Sequence, residues 1–211
     1  MMNRLMTIVI LFAISGAAVA AGEPGTGLKP DDVMQTTWNR FAEQTVALQQ
    51  RQLAGKNVKK TEEVDRYGGE LGKAYSYREV TYTDAGTGKL LSRVRTNAKR
   101  ADEVQSAEVY VYDEQGRVKR DYAFIYLPWA RGAPIRTFAN LHHYSDDLHA
   151  WRQFDASGRR TYEHCEGRIG AEAVKLSISE DRIGSELEGS EQYRVCFGGL
   201  ARTAGALLTP Q

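Results

Sequence analysis

Two periodicities divide the chain. Val33, Met34, Trp38, Phe41, Thr45 and Leu48 recur at three- and four-residue steps, the spacing of one face of a helix. Pro30, Asp31 and Asp32 suit its first turn and Gly55 its stop, so an amphipathic helix is expected over about residues 30–54. Its stripe is expected to cover a sheet, because the opposite face lacks the basic bias of a membrane-surface helix. Residues 56–72 are charged and interrupted by glycine, and read as a linker or short helical turn.

From Lys73 the period becomes two. Tyr75, Tyr77, Glu79 and Thr81 alternate with Ser76, Arg78, Val80 and Tyr82, and Leu90 to Arg95 returns as a partner strand. Ala98 to Gln105 reads as a polar connection. Val109 to Tyr112 and Val118 to Leu127 predict a second hairpin, ended by Pro128. Thr137 to Tyr144, Leu148 to Phe154 and Arg160 to Cys165 predict a three-strand meander. Ala173 to Ser179 and Gln192 to Phe197 read as two further strands, and residues 201–211 as a loose tail.

The strands are joined by a recurring tip: Tyr112-Asp113-Glu114-Gln115-Gly116-Arg117, then Phe154-Asp155-Ala156-Ser157-Gly158-Arg159, with a looser copy from Tyr82 to Lys89. Asp caps the backbone two residues on, and Gly takes the positive φ that closes the turn. Locally the tips resemble the tyrosine–aspartate hairpin repeats of large secreted bacterial shell proteins. Gly88 to Gly116 is 28 residues and Gly116 to Gly158 is 42, whereas a solenoid keeps its period. The likeness is one of turn chemistry. The fold expected is α+β, with the N-terminal helix packed on a curved, mostly antiparallel sheet built from hairpins over about residues 73–197.

The ends place this single domain, residues 30–200, in a compartment. Arg4, an apolar run from Leu5 to Ile14 and Ala18-Val19-Ala20 have the form of a signal peptide over residues 1–20, cleaved near Ala20 and followed by a leader over 21–29. The run falls short of the roughly 20 apolar residues of a membrane span, so no transmembrane segment is expected in the mature chain. The chain is read as periplasmic or secreted. Cys165 and Cys196 are the two cysteines, and export makes their pairing the expectation. The full sequence has 28 Lys+Arg against 27 Asp+Glu. Removing Arg4 leaves 27 against 27, which offers no field for nucleic acid.

Candidate chemistry comes last. The four histidines fall within 23 residues, from His142 to His164. If the turn at Ser145-Asp146-Asp147 sets His143 opposite His149, and the turn at Asp155 sets His149 opposite His164, three imidazoles form a row able to hold Zn²⁺ or Cu²⁺. A one-residue slip in either hairpin breaks that row. Tyr122, Phe124 and Tyr126, with Tyr110 and Tyr112 of the same parity, then Trp129, Arg131 and Trp151, form an aromatic set. It is either core or a platform for a small apolar or glycan ligand or an envelope protein. There is no G-x-S-x-G elbow, phosphate loop or compact metal motif. The reading is an exported, non-catalytic binding or accessory protein of the cell envelope. A metal-binding protein or metalloenzyme is the alternative, and an envelope-polymer hydrolase a weaker one.

Overall fold

The computed structural model describes residues 32–67, 75–145, 147–184 and 186–211, so the expected signal peptide and leader lie outside the described residues. Helix α1 (Asp32–Leu53) leads into strands β1 (Val58–Tyr67), β2 (Tyr75–Asp84), β3 (Leu90–Asn97), β4 (Arg100–Tyr112), β5 (Val118–Ile125), β6 (Arg136–Ser145), β7 (Leu148–Phe154), β8 (Arg160–Ile169) and β9 (Glu172–Ser179). Helix α2 (Glu191–Phe197) and a 3-10 turn (Gly205–Leu208) follow. Every strand pairs antiparallel with its sequence neighbour, giving one open meander in chain order, β1 to β9. This is the α+β architecture that the two periodicities predict.

The three tips form as their residues dictate. Gly88, Gly116 and Gly158 take φ of 73°, 81° and 87°. Asp113 Oδ1 accepts from Arg117 N at 2.8 Å, and Asp155 Oδ1 from Ser157 N at 2.9 Å. Each tip therefore closes a β-hairpin of adjacent strands.

Four expectations are corrected. Residues 58–67, read as a linker, form strand β1, which pairs with β2 along its whole length. Neither of its faces is apolar. It is held by cross-strand contacts such as Asp65 with the Tyr77 hydroxyl (3.2 Å) and Lys60 over the Tyr82 ring (5.5 Å). Such contacts contribute roughly 0.2–1 kcal/mol each. Strand β4 begins at Arg100, inside the stretch read as a connection. Residues 191–197, read as a strand, are helix α2, whose Ser190 side chain caps the Tyr193 N–H and which buries Tyr193, Cys196 and Phe197. Finally, the C-terminal segment is packed: Ala204 and Leu207 are buried with Phe41, Leu48 and Tyr122, and Arg51 donates to the Pro210 carbonyl at 3.2 Å.

One face of the sheet carries the core. Helix α1 lays Phe41, Ala42, Thr45, Leu48 and Gln49 on β3 to β6, with the Phe41 ring 6.1 Å from Tyr122. Burying a side chain such as Phe41 or Leu48 contributes about 1.5–3 kcal/mol. The predicted stripe is wider than the buried one, since Val33 and Met34 at the helix start are exposed. Helix α2 covers β7 to β9 on the same face, over Leu148, Ala150, Val174 and Ile178. The disulfide Cys165–Cys196 forms, with Cα atoms 5.8 Å apart and a sequence separation of 31. On the chain-entropy model it constrains the unfolded state by about 3.5–4 kcal/mol.

Candidate functional site

The opposite face of β6 to β9 has a different composition. Its residues follow from strand alternation and from the register, which pairs Asp121 with Asn140, His142 with Trp151 and Tyr144 with His149. Across the next strands Gln153 meets Tyr162, Trp151 meets His164, His149 meets Glu166, and His164 meets Ser177. Asp121, Asn140, His142, Tyr144, His149, Trp151, Tyr162 and His164 therefore share one face. The intervening Ala139, Leu141, Ala150, Phe154, Cys165 and Ile178 point to the core. No helix among the described residues packs over this patch, and Ala173, Lys175, Ser177 and Ser179 of β9 are exposed beside it.

The patch is internally ordered. Asp121 Oδ2 lies 2.6 Å from His142 Nε2, and His142 Nδ1 lies 2.9 Å from His149 Nε2. The two imidazole planes differ by 12°, and the Tyr144 ring stacks on His149 at 4.5 Å and 4°. Asn140 donates to the other Asp121 oxygen at 2.7 Å. Trp151 sits 5.1 Å from the Tyr162 ring and 5.9 Å from His164, whose Nδ1 meets the Ser177 hydroxyl at 3.0 Å. Burial, and then the neighbouring His142, hold the His149 pKa below the usual imidazole value, against the pull of Glu166. Beside this row lies a depression of about 420 Å³ lined by residues that include Tyr112, Arg117, Lys119, His142 and Tyr144. Arg117 stands over the Tyr144 ring at 4.7 Å while paired to Asp113 at 2.8 Å.

The metal row expected of His143, His149 and His164 does not form. His149 lies opposite Tyr144 rather than His143, one residue off, and opposite Glu166 rather than His164, two residues off. The odd slip changes the face and the even one does not. His143 thus turns to the core side against the Gly199 backbone, and His142 takes its place beside His149. Among the described residues no three His, Cys, Asp or Glu side chains converge to hold Zn²⁺ or Cu²⁺.

The aromatic set is also divided. Val109 pairs with Tyr122 and Tyr110 with Asp121, so Tyr110 belongs to the face opposite Tyr122 and Phe124. Tyr122 and Phe124 are buried under α1. The Tyr126 hydroxyl donates to Asn39 on α1 at 2.7 Å. Trp129 is 58% exposed and packs on Tyr75 at 5.5 Å. Arg131 binds Glu103 at 3.0 Å, and its loop is tied to α1 by Gln35 and Asn39 donating to the Gly132 carbonyl. Of the six, Trp151 alone joins the histidine face.

Sequence reasoning missed Asp121, Asn140, His142, Tyr144 and Tyr162. A signal existed: Ala139 and Leu141 mark the core parity of β6, which assigns His142 and Tyr144 to the other side. Sequence reasoning also missed the charged cluster behind the patch. Arg152 and Glu163 are 1% and 0% exposed and ion-paired, with Tyr193 donating to Glu163 at 2.9 Å. Arg152 also donates to the carbonyls of Leu200 (3.0 Å) and Ala201 (2.7 Å), fastening the C-terminal segment to β7.

The chain matches no protein-family profile, and no curated protein matches it. Among solved structures, the crystal structure of a DUF3836 family protein from Parabacteroides distasonis aligns over 59% of this chain and 94% of its own, at 15% identity and a TM-score of 0.20. At that overlap the likeness bears on neither fold nor function.

Proposed function

We propose that this chain is an exported, non-catalytic binding protein of the cell envelope whose uncovered face over β6 to β9 takes a glycan. One observation carries the choice of ligand. Between Asn140 and Ser177 the uncovered positions hold Tyr, Trp, His, Asn, Gln, Glu, Arg, Lys, Ser and one Ala but no Leu, Ile or Val, whereas the core side of the same strands carries Leu141, Leu148, Val174, Leu176 and Ile178. A lipid-binding surface would be aliphatic. Flat rings interleaved with hydrogen-bonding groups suit a sugar, which has apolar C–H faces and a hydroxyl rim. Export rests on the signal-peptide pattern of residues 1–20 and on the disulfide.

The test is binding to purified peptidoglycan sacculi and, by calorimetry, to soluble cellotetraose and chitotetraose. Trp151→Ala is expected to weaken binding about tenfold, or about 1.4 kcal/mol, with the melting temperature held. Absence of saturable binding to all three, or equal binding by the variant, overturns the proposal. Turnover of any of these polymers would overturn the non-catalytic part.

A further inference from the structure

We infer that Asp121, His142 and His149 form a tautomer-locked chain that makes the patch a proton-linked site: His149 Nδ1 accepts from a ligand hydroxyl while both imidazoles are neutral, and donates to a ligand carboxylate after one proton is added. The assignment of tautomers is forced by the partners. Asp121 uses one oxygen for the Asn140 amide and offers the other to His142 Nε2 at 2.6 Å. A carboxylate accepts and does not donate, so His142 carries its proton on Nε2. With the ring neutral its Nδ1 is bare and accepts from His149 Nε2–H at 2.9 Å, along near-coplanar rings. Neutral His149 is left with a bare Nδ1, and stacking on Tyr144 fixes the plane in which that lone pair points.

Proton uptake follows the same logic. One proton enters at His149 Nδ1 without breaking either hydrogen bond, and converts the acceptor to a donor. A second proton would set N–H against N–H between the two rings and break the chain. The groups that face His149 are His142 and Tyr144 from β6, Glu166 and His164 from β8, and Asp121 behind His142 from β5. Arg117, already tied to Asp113, approaches through Tyr144, and Lys175 stands beside Glu166 on β9. Burial and His142 oppose protonation of His149, so its imidazole is neutral near pH 7 and takes a proton only in acid.

The ligand half of this inference rests on the glycan-binding reading, whereas the tautomer half does not. Long-range ¹H–¹⁵N NMR on the labelled full chain at about pH 7.5 should show both His142 and His149 protonated at Nε2. In Asp121→Asn the amide keeps its oxygen toward Asn140 and turns its NH₂ to His142, so both rings should invert to the Nδ1–H form. An Nδ1–H tautomer in the wild type, or no inversion in the variant, overturns the chain whether or not any glycan binds. Calorimetry then compares tetragalacturonate with cellotetraose at about pH 7.5 and about pH 5, either side of the ordinary imidazole value. The acidic probe should bind about tenfold tighter in acid and cellotetraose should change less than about threefold. His149→Gln should abolish the difference. Equal pH dependence of the two probes, an undiminished difference in His149→Gln, or no binding of either probe overturns the ligand half.

Discussion

Glu163→Gln tests the buried charge that supports the patch from behind. Glu163 lies between Tyr162 and His164 on β8, and Arg152 beside Trp151 on β7, so the pair sets the two strands that carry the ring-bearing row. The substitution keeps the volume and removes the charge. It strands the Arg152 guanidinium, which cannot deprotonate, with carbonyl and hydroxyl partners only. Breaking one side of a buried pair costs about 3–5 kcal/mol. For a chain of this size, at the upper end of urea m-values, that lowers the unfolding midpoint by about 1–2 M. Urea titration followed by tryptophan fluorescence, with the disulfide intact, reads it. Replacing both partners, Arg152→Met with Glu163→Leu, should recover part of the loss, with a coupling energy of about 2 kcal/mol. A Glu163→Gln midpoint within about 0.3 M of wild type, or no coupling, would refute the reasoning.

Two further outcomes follow from the same strands. Gly167 has φ of 137°, and a Cβ there would lie 1.9 Å from the Asp147 carbonyl oxygen, so Gly167→Ala should cost about 3 kcal/mol and lower the melting temperature by about 6–12 °C. A change under about 2 °C in a thermal melt would contradict the β7–β8 register. His149 has a folded-state pKa below that of the unfolded chain, which therefore takes the proton first. Its contribution to stability is intact above about pH 6.5 and is lost as pH falls from there through the folded value. Melts over that range should show a shallower decline in His149→Gln than in the wild type, and identical slopes would contradict the assignment.

The sequence made the architecture legible where burial is one-sided. Leu148, Ala150 and Phe154 alternate with polar residues because β7 has one core face, and Phe41, Thr45 and Leu48 keep helical steps because α1 has one. Strand β1 was illegible for the converse reason. Residues 58–66 bury neither face, so no hydrophobic period is required of them, and only the free edge of β2 makes them a strand. Helix α2 was legible in principle. Tyr193, Cys196 and Phe197 stand at helical spacing behind a capping Ser190, a stronger sign than the short alternation that suggested a strand.

The candidate site turned on parity rather than on residue type. Histidine in a strand carries no intrinsic face, so choosing between His142 and His143 depends on which neighbours the core demands. Ala139 and Leu141 answer that through packing against Tyr122 and Phe154, and the turn after Ser145 then sets Tyr144 rather than His143 opposite His149. The same parity brings Asp121 alongside His142, because β5 pairs Tyr122 with Ala139 on the core side and leaves Asp121 opposite Asn140 on the other. The core thus determines the proton chain: any change in β5 or β6 that slips their register by one residue sends Asp121 or His142 to the buried side, and removes the hydrogen bond on which the tautomer of His149 depends.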